Sequence, residues 1–568
     1  HPELDLAHGI ENTSGPLGQG HTYAVGAAIA ERFLQARFDR LFDHTIYVYI
    51  SDGGIQEEVS QGAGRIAGHL GLDNLIMFYD ANDIQLSTPT ADVTSEDTAL
   101  KYKAWNWNVL EIDGNDPEQI RKALKAANEE TTRPTLIIGH TIMGKGARKA
   151  DGESFERDCG THGAPLGGNA YVETIKNLGA DPEDPFHIFP EVAEMYKERL
   201  GKLTQEVELI RQIEKKWAQE NPEKSQLLSD WFNQKLPEIP WDKLEQMPNK
   251  ATRDGSKAVL ALLSEYVPNM IVSSADLCNS DKTDGFLAHT TPISRTNFAG
   301  GFLQAGVSEL SMACVCIGMM LHGGIISAMG TFFVFSDYMK PAVRMAALME
   351  TPVKFVWTHD AFRVGEDGPT HEPVEQEAQI RLMEKLKNHS GKDSVRVFRP
   401  CNNQAATQCW RLAMENVETP TALIFSRQAI KDLPESVDYI GVEKGAYEIV
   451  KEEHPDVILL ASGSEVSTLV DTLPLLQEKK IKARVISCPS EGLFRRQSAE
   501  YQEKLLPADA KIFALTAGLP ATFEGLVGSN GYIYGLDHFG YSAPYQVLDD
   551  KLGFTPQQVA DKIIDFVK

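Results

Sequence analysis

Between Ala24 and Thr141, apolar residues fall either into short unbroken runs or into stretches with a helical repeat. Small and apolar side chains recur every three to four positions in AVGAAIAERFLQARF (Ala24 to Phe38), which predicts a helix packed closely against its neighbours. TIYVYI (Thr45 to Ile50) is β-branched and aromatic and stops at SDGG, so it reads as a buried strand that ends in a turn. A helix at VSQGAGRIAGHL follows, then a second apolar strand, NLIMFYD, ending in ANDI. WNVLEID, a helix at PEQIRKALKAANEE and the run TLIIGHT continue the alternation. Strand, helix, strand in this rhythm predicts an α/β fold with a mostly parallel sheet covered on both faces.

From about residue 191 to 250 the pattern changes to a long, charged helical stretch and then the Pro-broken LPEIPWDKLEQMPN, which reads as a linker. The α/β rhythm resumes at 251–432 (MIVSSADL, GIISAMGTFFVF, VKFVWTHD, TALIFSRQ). It returns in a third unit, 433–568, with VILLASGSEV, a helix at STLVDTLPLLQEKK and the strand ARVISCPS. With 1–190 as the first, the expectation is three doubly wound, mostly parallel-sheet domains. The length of 568 residues agrees, at about 150 residues per domain.

Charge narrows the partners. Lys and Arg number 55 against 80 Asp and Glu, a net −25, so nucleic acid is not expected as a partner. A small anionic substrate is compatible only if cations gather locally. The seven cysteines are odd in number and scattered without a C-x-x-C pair, which suggests reduced thiols in a cytoplasmic protein. No apolar run is long enough for a membrane span and no signal peptide opens the chain, so no membrane partner is expected. The sequence starts at His1, without Met, inside a loop-like stretch, which reads either as a chain whose leading segment was removed or as an incomplete sequence.

Ligands of doubly wound sheets collect at the carboxyl ends of strands. Asp52 (in SDGG) and Asn82 (in DANDI) both stand at such ends. If the strands are neighbours, a carboxylate, an amide oxygen and the Ile84 carbonyl meet, a hard-oxygen set suited to Mg²⁺ or Ca²⁺. The competing reading is two ordinary turns, which Asp-Gly and Asn-Asp form everywhere. The glycines of GPLGQG (Gly15 to Gly20) allow close backbone approach to an anion ahead of the first helix, or simply punctuate a loop.

TSGPLGQG, then SDGG-x-Q-E with Asn82 after it, resembles the thiamine diphosphate motif of transketolases. THGAPLG, SSADL, GVSEL, GTFFVFSDY, THDAFRVGEDGPTHEPVEQ and TALIFSRQ follow in that family's order along the whole chain. The resemblance implies two thiamine diphosphate-binding-fold domains, one for the diphosphate and one for the pyrimidine, plus a C-terminal α/β domain. The implied reaction is reversible transfer of a two-carbon ketol unit from a ketose phosphate to an aldose phosphate. The cofactor supplies the carbanion chemistry and the protein supplies orientation, proton transfer and phosphate grip.

By the same resemblance, Asp52, Asn82 and the Ile84 backbone hold Mg²⁺ or Ca²⁺ against the diphosphate. Gly15, Leu17, Gly53, His162 and Asp276 line the cofactor, and Glu57 lies at the subunit interface beside it. Glu309 hydrogen-bonds the aminopyrimidine, while Phe332, Phe335 and Tyr338 form its aromatic pocket. Glu309, His371 and His162 are the implied catalytic groups. Arg253, Ser280, His359 and Arg427 hold the sugar phosphate, and His1, Asp367 and His371 surround the donor hydroxyls and reacting carbons. A homodimer with interfacial active sites is implied as well.

Locally, each of these has a plainer reading: Glu309 as a helix-start acid, the aromatics as core, the arginines as surface charge. The chain departs from the family in having Ser51 before the metal-binding Asp, Ser308 before the catalytic glutamate, and no counterpart to about the first hundred residues. A cofactor-binding but inactive component needing a separate N-terminal partner is therefore one alternative, and a relative acting on other ketols is another.

Overall fold

A computed structural model describes residues 3–568, apart from the side chain of Arg40. Ser14–Asn233 and Gln234–Lys568 form two compact units, and residues 3–13 group with the second.

In the first unit, β1 (Ile46–Ser51), β2 (Leu75–Ala81), β3 (Asn108–Asp113) and β4 (Thr135–His140) run parallel in the order β1-β2-β4-β3. β2 and β4 are the buried centre, which their unbroken apolar runs require. The expectation of a buried first strand is corrected. β1 lies at an edge, paired only with β2 among the described residues, and Tyr47 and Tyr49 are exposed on it. Their rings still find partners: the Tyr47 hydroxyl donates to Asn128 Oδ1 at 2.8 Å, and Tyr49 stacks on Phe78 at 4.9 Å.

The first helix spans Gln19–Phe38, starting earlier than the apolar repeat indicates. Its N-cap is Gly18, at φ +81°, where a Cβ would come within 2.5 Å of Val59 Cγ1. A left-handed glycine thus lets the GPLGQG loop turn tightly onto the next helix, Glu58–Leu70. The long charged stretch is helical over Pro190–Glu220 and Pro222–Phe232, each with Pro in its first turn. These helices attach through tryptophan: Phe38 packs edge-on against Trp217 at 6.2 Å and Trp231 at 5.1 Å.

The second unit contains two sheets. β5 (Met270–Ser274), β6 (Phe302–Gln304), β7 (Ile326–Phe332), β8 (Lys354–Thr358), β9 (Arg396–Phe398) and β10 (Thr421–Phe425) are all parallel, in the order β6-β5-β7-β8-β10-β9. β11 (Tyr447–Val450), β12 (Val457–Ala461), β13 (Ala483–Ser487), β14 (Ile512–Leu515) and β15 (Tyr532–Tyr534) form the other, ordered β11-β13-β12-β14-β15. Only β11 runs antiparallel there. One apolar cluster runs through both, from Val272, Val356 and Leu423 to Leu459 and Leu515. Three mostly parallel α/β sheets are therefore present, as the alternating pattern predicts.

His21, on the first helix, is buried and its Nε2 has no partner among the described residues. Burial pushes its pKa from 6.5 down to about 4, so the folded state holds it neutral. The unfolded chain binds the proton first, so His21's contribution is fully present above pH 6.5 and is lost as pH falls toward 4. The expected slope is up to about 1.4 kcal/mol per pH unit from this one group. Denaturant unfolding at pH 7 and pH 5 reads it, and His21→Gln should flatten the difference.

Candidate active site

In the first unit, the side chains of interest stand where β1 and β2 end. Ser51 pairs with Asp80 in register, which places Asp52 and the Asn82 turn side by side. Ser51 caps the short helix Asp52–Gln56 by accepting from the Gly54 N–H at 3.3 Å, so a small hydroxyl residue is accommodated at that position. Asp52 is 2 % exposed. Its Oδ1 accepts from the Tyr79 hydroxyl at 2.7 Å and its Oδ2 from the Asn82 backbone N–H at 3.1 Å. Asn82 Oδ1 in turn accepts from the Ile84 N–H at 3.1 Å, across Asp83, which takes the left-handed conformation at φ +65°. The two strand ends converge and do not form separate turns.

Burial raises the Asp52 pKa, the bonds from Tyr79 and Asn82 oppose the rise, and the nearby carboxylates Asp83 and Asp80 add to it. Each carboxylate oxygen keeps a lone pair beyond the bond it accepts. The oxygen donors brought together here are the Asp52 carboxylate and the Asn82 amide, with the Ile84 backbone bonded to Asn82. Among the described residues no cluster of three His, Cys, Asp or Glu could hold a metal. Hard-oxygen ligands too few to fill a sphere suit Mg²⁺ or Ca²⁺ shared with a phosphate-bearing ligand, and the site fits that group.

Around it, Leu17 packs within 3.2 Å of where a Gly53 Cβ would stand, so the GPLGQG loop reaches the Asp52 turn. Glu57 is exposed and borders Gly18. Gly15 is exposed on the same loop. His162 is exposed on a loop whose Gly163 faces Leu86, just past Ile84.

The second unit carries an aromatic and cationic cluster. His359 follows β8 at φ +64° and is 1 % exposed. Its ring stacks on Phe332 with centroids 3.6 Å apart. His371 stands edge-on to Phe335 at 5.5 Å and to Phe332 at 6.3 Å, and Phe335 stacks on Tyr338 at 6.0 Å. Tyr338 itself is 62 % exposed.

Arg253 Nη1 donates to the Ser280 carbonyl at 2.9 Å and lies 3.3 Å from His359 Nε2, while its Nε has no partner among the described residues. Burial, then the field of Arg427, lowers the Arg253 pKa, with Asp254 and Asp281 opposing. Burial and the same two guanidiniums push His359 down to about 2, so it is neutral and able to accept from Arg253. Arg427 Nη1 is 3.7 Å from Glu366 Oε2.

The structure thus joins Arg253, Ser280, His359, Arg427, Phe332, Phe335, Tyr338 and His371. Asp276 (at φ +63°), Glu309 and Asp367 share no hydrogen bond, ion pair or ring contact with that cluster among the described residues. Glu309 is half-buried as the first residue of the helix Glu309–His322. His1 lies outside the described residues. Sequence reading passed over Tyr79 and Glu366. A hydroxyl-bearing ring near the carboxyl end of a buried strand, and an acid within the GEDGPTH stretch, were the available signals.

The chain matches the family models described as "Transketolase, thiamine diphosphate binding domain" over residues 1–237, "Transketolase, pyrimidine binding domain" over 249–432 and "Transketolase-like TK C-terminal domain" over 445–555. The chain belongs to the transketolase family. It is 39 % identical to a transketolase of Halalkalibacterium halodurans over 98 % of this chain and 83 % of the relative. It is 36 % identical to that of Bacillus subtilis over 99 % and 84 %. Among solved structures, the transketolase of Leishmania mexicana superposes with a TM-score of 0.92 at 33 % identity, covering 100 % of this chain and 83 % of that one. A Pichia stipitis transketolase in complex with sedoheptulose 7-phosphate superposes at 0.89 and 32 % identity, covering 98 % and 82 %. As a member, the protein is a thiamine diphosphate-dependent transferase that moves a two-carbon ketol unit.

Phe332, 8 % exposed, is the centre of the aromatic cluster. Phe332→Ala should lower stability by about 3–5 kcal/mol, read as a drop in the denaturation midpoint. Phe332→Leu should recover part of it.

Proposed function

We propose that this chain transfers the ketol unit between phosphorylated ketoses and aldoses, with thiamine diphosphate held through Mg²⁺ or Ca²⁺ in a homodimer. The observation that carries the phosphate reading is that the guanidiniums of Arg253 and Arg427 both act on the buried His359, and that of Arg427 also on Arg253. An anion between them removes that repulsion and receives fork-like donors. The Pichia stipitis relative carrying sedoheptulose 7-phosphate supports the same substrate class.

When bound, the cofactor supplies the electron sink for carbon–carbon cleavage and re-formation. The residues of this chain do the rest. Asp52, Asn82 and the Ile84 carbonyl hold the cation, while Gly15, Leu17, Gly53 and His162 line the diphosphate end, with Glu57 beside it. Phe332, Phe335 and Tyr338 offer a flat apolar slot to a heteroaromatic ring. Glu309 holds a proton at the pyrimidine edge, and Asp276 borders the same ligand. His371 passes protons at the sugar hydroxyls with Asp367 and His1, and His162 contributes at the reacting end. Ser280 and His359 complete the phosphate grip.

Tyr338 and Leu17, both exposed in one chain although assigned to the cofactor, support a dimer in which a second copy covers them. All seven cysteines are free, which supports a cytoplasmic location. No helix among the described residues is long and apolar enough to cross a membrane. The reading as an inactive component is not favoured, since relatives named for the enzyme match over 98 % of this chain.

Calorimetric titration with thiamine diphosphate should show binding with Mg²⁺ or Ca²⁺ present and none after chelation. Unchanged affinity without metal would remove the cation from the reading. In a coupled assay with xylulose 5-phosphate and ribose 5-phosphate, Arg427→Ala should raise the sugar-phosphate KM about tenfold or more, the loss of a charge-assisted hydrogen bond. Glu309→Gln should abolish turnover in the same assay while leaving cofactor affinity nearly intact.

A further inference from the structure

Three of the residues assigned to the substrate, His359, Asp367 and His371, share one loop. It leaves β8 at His359 and carries Asp367 and His371, and its polar anchors come from Arg253, from Arg399 just past β9, and from the C-terminal sheet with the segments around it. Asp360, fully buried beside His359, accepts from Arg399 Nε at 3.0 Å and Nη2 at 2.7 Å. Arg399 Nη1 donates to Glu465, the first residue of the helix Glu465–Glu478 that follows β12. The other Glu465 oxygen accepts from Arg363 Nη1 at 2.8 Å, and Arg363 Nε donates to Asp549 at 2.7 Å. One buried carboxylate of the C-terminal domain therefore holds the loop at two points, through Asp360 and through Arg363.

A second set of ties lies nearer the substrate. The Ser542 hydroxyl donates to the Glu366 carbonyl at 2.6 Å, and a Cβ on Gly368 would stand 3.0 Å from Ser542 Cβ. Glu366 is the residue whose carboxylate faces Arg427. The Leu519 N–H donates to the Val374 carbonyl at 3.0 Å. Gly540 approaches Glu372, the neighbour of His371, so closely that a Cβ there would lie 1.9 Å from Glu372 Oε2.

A buried charge network of this kind contributes little net stability compared with apolar packing of equal volume. What it does supply is direction, because each guanidinium presents its donors in a rigid fork. We propose that the C-terminal domain positions the substrate loop, with Glu465 and Ser542 as positioning residues that set where His359, His371 and, through Glu366, Arg427 stand. This rests on the reading of Arg427 as a phosphate ligand. Neither Glu465 nor Ser542 touches the substrate in it; both act through the loop.

The test uses the full-length holoenzyme in the coupled xylulose 5-phosphate and ribose 5-phosphate assay. Ser542 is exposed, so its variants fold whatever its role. Ser542→Ala should raise the sugar-phosphate KM about three- to tenfold, the worth of one positioning hydrogen bond, with kcat and thiamine diphosphate affinity little changed. Ser542→Thr, which keeps the hydroxyl, should restore the wild-type KM. Glu465→Gln should move KM in the same direction and further; if that variant does not fold, the Ser542 pair decides. An unchanged KM in Ser542→Ala, or a parallel loss of kcat and cofactor affinity that Ser542→Thr does not rescue, overturns the inference. Arg427→Ala in the same assay separates the failures. If it raises KM while Ser542→Ala does not, only the positioning role falls. If Arg427→Ala leaves KM unchanged, the phosphate reading and the inference fall together.

Discussion

Asp52 stands almost wholly out of water at the end of β1, in the field of Asp80 and Asp83 and held by a tyrosine hydroxyl and one backbone N–H. A carboxylate in that position is costly unless a cation shares it. A polyanionic ligand could not approach the same strand ends without such a cation either. The proposed cation would relieve both terms at once. The parallel register of β1 and β2 brings the Asn82 turn beside Asp52, the left-handed Asp83 lets Asn82 and Ile84 turn together, and Gly18 lets the first loop pack tightly on the helix Glu58–Leu70.

The second unit solves the converse problem. A protein with a net charge of −25 can hold an anionic sugar only where cations gather locally, and Arg253 and Arg427 both act on the buried His359. Arg253 and Arg427 act on a histidine that burial keeps neutral, so His359 adds an acceptor and a stacking face and no third positive charge. Phe332 carries His359 on one side and meets His371 at its edge. Ring packing therefore fixes the imidazoles while the guanidiniums stay available.

The C-terminal sheet has no reactive side chain in this arrangement, yet its residues end in the substrate loop. Arg399 and Arg363 converge on Glu465, and the turn at Gly540 to Ala543 lies against Glu366, Gly368 and Glu372. A domain silent in sequence gains a task from where its helix start and its late turn come to rest.

Much of this was readable from local order alone. Apolar runs of strand length alternating with helical repeats determine three α/β sheets, because pattern period and burial are local properties. The string of motifs around Asp52 and Asn82 identified the family by resemblance, and with it the cofactor class. The edge position of β1 was beyond reach, since an aromatic run looks the same whether one neighbour or two pair with it. So were the Tyr79 hydroxyl beneath Asp52, the stacking of His359 on Phe332, and the meeting of Asp360 and Arg363 with Glu465. Those contacts join residues far apart in the chain, and only close packing of the finished fold, which excludes water and leaves buried charges a single set of partners, decides which of them are made.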